Sequence, residues 1–96
     1  MTQVELAAAA VEDLDRLTRT LSLPPDIRQR VRASLTPLRE FPELGATLVG
    51  RWSGLQFVLG PWRWMLLVYQ YDAATDRVVV VTIQDARSSR AATAER

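Results

Sequence analysis

The apolar residues of this chain change their spacing near residue 45, and this change limits the folds that the chain can adopt. Before that point they recur every three or four positions, as on one face of an α-helix. Beyond it they alternate with polar residues or form short continuous runs, as they do in β-strands. A helical first half and a stranded second half predict an α+β fold, built as one domain over residues 1–96.

The N-terminal half predicts one strand followed by two helices. Gln3–Leu6 is the candidate strand, and an amphipathic helix follows it. Pro24–Pro25 ends the connection and suits the first turn of a second helix, which Pro37 should end or kink. The apolar stripe of the first helix consists of Ala7, Ala10, Val11, Leu14, Leu17 and Leu21, and that of the second consists of Ile27, Val31, Leu35 and Leu38.

The C-terminal half predicts four strands joined by short turns. They are Thr47–Trp52, Leu55–Leu59, Trp62–Tyr71 and Arg77–Gln84. Strands that follow a pair of helices favour an antiparallel sheet with both helices on one face and the other face uncovered. Alternation along the long strand then places Arg63, Met65, Leu67, Tyr69 and Tyr71 on the uncovered face, and Trp62, Trp64, Leu66 and Val68 on the helical one. The tail from residue 88 to residue 96 is expected to be a short helix or frayed.

Composition excludes several classes of chemistry. The chain has no cysteine and no histidine, which argues against thiolate nucleophiles, zinc sites and Ser–His triads. We therefore expect no metal and no cofactor. The net charge is only +1, and all twelve basic residues are arginine, whose forked donors suit phosphate. No run of residues reads as a signal peptide or a bilayer span, so we expect a cytoplasmic protein without a membrane partner.

Five segments together resemble the RelE/ParE toxin superfamily. They are the acidic and leucine-rich Val11–Leu17, the leucine and turn pattern Leu35–Gly45, the pair within Leu48–Gly50, the strand entry Gly60–Arg63, and the terminal Asp85–Arg87. The resemblance covers nearly the whole chain. The order of the predicted elements, β-α-α-β-β-β-β, is part of the resemblance. The resemblance implies that the chain is the toxin of a type II toxin–antitoxin system, with a cognate antitoxin as its partner.

The resemblance also implies a site. In the RelE branch, toxins cleave messenger RNA on the ribosome by attack of the 2′-hydroxyl on the neighbouring phosphate, which needs proton-transfer groups and cations. Arg63 matches the family's strand-entry arginine and Arg87 its terminal arginine, so both are the predicted catalytic cations. Arg51, Arg90 and Trp52 are the predicted substrate contacts, the last by stacking on a base.

The family's usual proton-transfer groups are missing. Leu66 stands where the family usually has a tyrosine, and Asp85 and Ala86 precede the terminal arginine where a basic residue or histidine is common. Arginine cannot be the base, because it stays protonated in proteins. The remaining candidates are Tyr69, Tyr71, Asp85, Glu40 and Glu43.

Three functions therefore stay open. The first is a RelE-like, ribosome-dependent endoribonuclease that inhibits translation. The second is a ParE-like toxin that inhibits DNA gyrase by binding, and the third is a non-toxic relative that acts as an interaction domain. The toxin hypotheses predict that an antitoxin helix or strand covers the apolar sheet face, including Met65, Leu67 and Tyr71.

Overall fold

A computed structural model describes residues 1–94 as two helices packed on a five-stranded mixed sheet. The elements are β1 (Gln3–Leu6), α1 (Ala8–Leu21), α2 (Ile27–Leu35), β2 (Ala46–Thr47), β3 (Gln56–Leu59), β4 (Met65–Asp72) and β5 (Arg77–Asp85). The strand order is β1-β5-β4-β3-β2; β1 runs parallel to β5, and the other neighbours are antiparallel. The predicted fold class and element order are confirmed. No helix among the described residues is long and apolar enough to cross a membrane.

The main core lies between the helices and one face of the sheet. Strand β4 contributes Met65, Leu67 and Tyr69, all fully buried. They pack with side chains from both helices and from β5: Ala10, Leu14, Ile27, Val31, Leu35, Val78, Val80 and Ile83. This layer holds the fold together, because burying one large apolar side chain stabilises it by about 1.5–3 kcal/mol.

The predicted orientation of the long strand is wrong. Met65, Leu67 and Tyr69 face the helices, and Leu66 and Val68 face the opposite side. The faces were predicted by counting alternation from Trp62, but the strand begins only at Met65. Residues 62–64 form a turn, in which alternation does not hold.

The second face of the sheet is not bare, which corrects another expectation. Leu66 and Val68 are covered by Leu48 and by Ala91 and Ala92 of the C-terminal tail. The backbone N–H of Ala92 donates a 2.7 Å hydrogen bond to the side-chain oxygen of Gln84 and so attaches the tail to β5. The described part of the tail is neither a helix nor frayed but a series of turns packed on the sheet; residues 95 and 96 lie outside the described residues.

The strand predicted at Thr47–Trp52 is mostly a different structure. Only Ala46–Thr47 forms a strand, and Gly50–Trp52 forms a 3₁₀ turn. Gly50 has φ of 67°, a left-handed conformation that glycine adopts without steric cost and that ends an extended segment. The chain therefore folds back over the second sheet face before β3 begins.

A β-bulge in β5 sets which of its side chains face the helices. Val68 pairs with Thr82 and Tyr69 pairs with Val80, so Val81 is the additional residue. Asp13 on α1 reaches this point, where its carboxylate accepts hydrogen bonds from the backbone N–H of Ile83 at 3.2 Å and from the hydroxyl of Thr82 at 2.5 Å. The bulge is thus anchored to the helical layer.

Candidate functional site

The two predicted catalytic arginines flank the same end of the sheet. Met65, the first residue of β4, pairs with Asp85, the last residue of β5. The backbone N–H of Ala86 continues this pairing with a 2.6 Å hydrogen bond to the carbonyl oxygen of Trp64. Arg63 precedes β4 and Arg87 follows β5. The antiparallel register therefore brings their backbones to neighbouring positions.

Arg87 is part of an aromatic stack. Its guanidinium carbon lies 4.8 Å from the centre of the Trp64 ring, and Trp64 stacks on Trp62 with ring centres 5.7 Å apart and an angle of 6° between the planes. A guanidinium at this distance from an indole face is attracted by the ring quadrupole. Both tryptophans also pack against the helical core, so the stack is held in place from behind.

The Arg87 guanidinium is already bound to a carboxylate. It donates hydrogen bonds of 2.9 Å and 2.8 Å to the two carboxylate oxygens of Asp85, and the backbone N–H of Arg87 donates a third of 2.9 Å. These hydrogen bonds lower the pKa of Asp85 below its usual range and raise the pKa of Arg87. The forked arrangement is the one that arginine would use on a phosphate, so Asp85 occupies the phosphate-binding edge of this side chain.

Arg63 has no such partner. Its side chain is exposed in the turn before β4, and it forms no ion pair or side-chain hydrogen bond within residues 1–94. An exposed guanidinium keeps its donors available to an anionic ligand.

The three predicted substrate contacts occupy different places. Arg90 lines a groove of about 270 Å³ beside β5, together with Asp13 and Asp85. Arg51 lies in the 3₁₀ turn before β3, with its guanidinium 5.5 Å from the centre of the Trp52 ring. Trp52 is half-buried against the second sheet face, and its indole N–H is buried with no hydrogen-bond partner among residues 1–94. Their roles in binding remain predictions.

The two tyrosines considered for proton transfer belong to the other end of β4. The buried hydroxyl of Tyr69 accepts a 2.9 Å hydrogen bond from the backbone N–H of Gly45, and burial is the main cause of its raised pKa. The hydroxyl of Tyr71 donates to Asp76 at 3.0 Å, and this bond is the main cause of its raised pKa. Tyr69 lies four residues, roughly 13 Å, beyond Met65, the start of β4 that the turn with Arg63 precedes.

Sequence reasoning missed a larger cavity beside the edge strand β1. It has a volume of about 420 Å³ and lies between β1, α1 and α2. Its walls carry three arginines from α2 and the turn after it, Arg28, Arg32 and Arg39. The four-residue spacing of the first two was the available signal, because it puts them on one side of α2.

Several solved structures that match this fold come from toxin–antitoxin systems. The RelBE2 complex of Mycobacterium tuberculosis matches with 22% identity over 88% of this chain and 96% of that chain, at a TM-score of 0.67. The ParDE system of Pseudomonas aeruginosa matches with 14% identity over 91% and 98%, at a TM-score of 0.67. The RelBE complex of Escherichia coli matches with 16% identity over 92% and 100%, at a TM-score of 0.64.

Sequence comparison adds no relative to these structures: no family model and no curated protein matches the chain. At identities of 14–22% the likeness concerns the fold and not the individual site residues. The matched regions span 88–92% of this chain and 96–100% of the matching chains. The chain therefore has the RelE/ParE toxin fold.

Proposed function

We propose that this chain is the toxin of a type II toxin–antitoxin pair. The observation that carries the proposal is the match over almost the full length of both chains to RelE-type and ParE-type toxins. The motifs in the sequence support the same conclusion independently, since they occur in the family's order from Val11 to Arg87. A cognate antitoxin is the expected partner, and two of the matching structures are toxin–antitoxin complexes.

The arrangement of charged groups favours a toxin that acts by binding its target, as ParE-like toxins do on DNA gyrase. Cleavage of RNA needs a proton acceptor and a donor beside the cations. Here the carboxylate nearest to Arg87 is Asp85, which is ion-paired and has a lowered pKa, so it is a weak base and is not held protonated as an acid. Tyr69 and Tyr71 are engaged with Gly45 and Asp76.

A RelE-like endoribonuclease on the ribosome is the second candidate. One observation favours it: the register between β4 and β5 puts the backbones of Arg63 and Arg87 at the same end of the sheet, where two cations could stabilise a phosphorane. Release of Arg87 from Asp85 would be required before both guanidinium groups could hold one phosphate. The missing acid and base would still cost such an enzyme about 10²–10⁴-fold in rate.

Induced expression with two readouts tests both candidates. For the binding toxin we expect growth arrest, lost supercoiling by DNA gyrase in vitro, and intact messenger RNA. Translational arrest with cleaved messages would instead support the nuclease, and an absence of any growth defect would refute the toxin proposal. Arg63→Ala and Arg87→Ala should be compared with Arg19→Ala, an exposed arginine on α1, as the matched control.

A further inference from the structure

The cavity beside β1, which we call the β1 groove, has a floor of aliphatic side chains. They are Val4 and Leu6 of β1, Val11 and Leu14 of α1, and Leu35 of α2. The volume of the groove, about 420 Å³, falls in the range of about 300–1,000 Å³ that is typical of small-molecule sites. An exposed apolar recess rimmed by charged residues is typical of a ligand or interaction site.

The rim of the β1 groove carries an excess of positive charge. Of its three arginines, Arg28 pairs with Asp15 at 3.1 Å. Arg32 and Arg39 also line the groove, and neither forms an ion pair or a side-chain hydrogen bond within residues 1–94. A ligand that fills the groove therefore meets two guanidinium groups whose charge no described side chain balances, and an anionic group on the ligand complements them.

The spacing of residues on α2 puts this charge directly beside the apolar floor. Arg28, Arg32 and Leu35 follow one another at intervals of four and three, so they lie along one side of the helix. Three residues correspond to about 4.5 Å along the helix axis, which is the offset between Arg32 and Leu35. The methylene stem of an arginine can lie on apolar surface while its guanidinium stays in water, so Arg32 can extend the aliphatic wall and still present its charge at the rim.

The chemistry of the lining selects among anionic ligands. A nucleotide would bring a base, and bases stack on aromatic side chains, which the described lining of the groove does not contain. Inorganic phosphate would leave the aliphatic floor in contact with water. Glu5 also lines the groove and, although it is ion-paired with Arg77, it opposes a second negative charge on the ligand. An aliphatic chain that ends in one carboxylate fits all three features, because arginine binds carboxylate through its forked donors.

We propose that the β1 groove binds a free fatty acid of medium chain length. The alkyl chain lies on the aliphatic floor, and the carboxylate pairs with Arg32 at the rim, where Arg39 adds a second positive charge. A single chain is the expected occupant, since the cavity lies near the lower end of the volume range for small-molecule sites. This site goes beyond the toxin proposal and does not depend on it, because the cavity recognises the ligand whatever the cellular target is.

Titration of the full chain with octanoate tests the proposal. Calorimetry should show saturable binding of one octanoate per chain, which weakens with salt. From hexanoate to octanoate and decanoate, the affinity should rise about fourfold for each methylene, because each methylene removes a similar apolar area from water.

NMR spectra locate the bound ligand. The methyl signals that octanoate shifts should be those of the floor: Val4, Leu6, Val11, Leu14 and Leu35. Absence of decanoate binding at millimolar concentration would overturn the proposal, and so would shifts centred on Leu66 and Val68 of the second sheet face.

Two comparisons separate recognition of the carboxylate from general apolar contact. Arg32→Gln should weaken octanoate binding roughly fivefold, the effect of one exposed ion pair at the upper end of its usual range, and Arg19→Gln, outside the groove, should leave it unchanged. Octanol, which has the same chain length and no charge, should bind the wild type roughly fivefold more weakly than octanoate does, for the same reason. Equal effects of the two arginine variants, or equal binding of octanoate and octanol, would contradict the proposal.

Two other occupants of the groove would give different results. We expect no co-sedimentation with phosphatidylglycerol vesicles, since a recess between β1 and the helices admits one chain and not a bilayer surface. Co-sedimentation that is lost in Arg32→Gln would assign the groove to a lipid surface. A dimer in analytical ultracentrifugation, with the floor methyl signals shifted by dilution and not by octanoate, would assign it to a second copy of the chain. Either result would overturn the proposal.

This experiment is independent of toxicity. If the chain binds octanoate in the β1 groove but arrests no growth, the toxin proposal fails and the fatty-acid site stands. If the chain is toxic but the floor methyl signals do not respond to octanoate or decanoate, the fatty-acid site fails and the toxin proposal stands.

Discussion

The backbone N–H of Gly45 donates a 2.9 Å hydrogen bond to the phenolic oxygen of Tyr69, a fully buried residue of β4. The two residues are in such close contact that a Cβ on Gly45 would lie 2.7 Å from that oxygen and 2.6 Å from the carbonyl oxygen of Phe57. Glycine is therefore required here by lack of space. The hydrogen bond fixes the loop before β2 to the sheet and gives Tyr69 a structural role.

Replacing Tyr69 with phenylalanine tests that role. We expect Tyr69→Phe to lower the free energy of unfolding by about 1–3 kcal/mol, because the N–H of Gly45 loses its partner in a part-buried place. Urea denaturation measures this, with Tyr71→Phe as control, since the hydroxyl of Tyr71 makes an exposed hydrogen bond. Toxicity should survive in Tyr69→Phe. Lost toxicity at unchanged stability would instead make Tyr69 a site residue.

The contact between Asp13 and the bulge of β5 gives a second prediction. Asp13→Ala removes the acceptor for the N–H of Ile83 and the hydroxyl of Thr82, so we expect a loss of about 1–3 kcal/mol in unfolding free energy. Amide exchange at Ile83 should accelerate as well. Asp15→Ala on the same helix removes an exposed ion pair with Arg28 and should cost about 0–1 kcal/mol. Equal losses in the two variants would show that Asp13 does not anchor the bulge.

Periodicity predicted the elements that bury one regular face. The bounds of β1 agree with the sequence prediction, and both helices, with Leu14 and Val31 in the core, follow from their spacing of three and four. The same spacing, with the turn residues between segments, predicted the element order. These signals are local, and each depends on side chains within a few residues of one another.

Periodicity failed where a single residue interrupts a strand or a distant contact decides the geometry. Gly50 turns the chain with a positive φ, and the turn at 62–64 shifts the start of β4 to Met65, which reversed the predicted faces. The bulge at Val81 depends on pairing between β4 and β5. The ion pair between Asp85 and Arg87 could have been expected from a separation of two residues, but its stacking on Trp64 depends on strand register.

Acid should destabilise the protein partly through Asp76. The hydroxyls of Thr2 and Tyr71 donate to its carboxylate, and these bonds lower the pKa of Asp76 in the folded state. A lowered folded pKa contributes stability that is present above the unfolded value, about 3.9, and is lost as the pH falls through the folded pKa. Thr2→Val removes the hydrogen bond that lowers this pKa most. The unfolding free energy of this variant should therefore fall less than that of the wild type between pH 5 and roughly pH 2. Urea denaturation across this range measures it; parallel profiles for Thr2→Val and the wild type would contradict the assignment.

Releasing Arg87 from Asp85 should change how the chain binds the phosphates of a nucleic acid. Asp85→Asn removes the charge that holds the Arg87 guanidinium at 2.8–2.9 Å, which frees its forked donors at the end of the sheet that Arg63 also flanks. Each additional phosphate contact to a single strand steepens the dependence of log K on log salt by about 0.7. We therefore expect Asp85→Asn to bind a labelled single-stranded RNA with a salt slope steeper by roughly that amount, measured by anisotropy.

Asp72→Asn is the control, because it makes the same charge change at the far end of β4 and should leave the slope unchanged. The RNA should stay intact in both variants, because freeing a cation supplies no base. Cleavage by Asp85→Asn would support the nuclease over the binding toxin, and an unchanged slope would show that Arg87 does not reach phosphate.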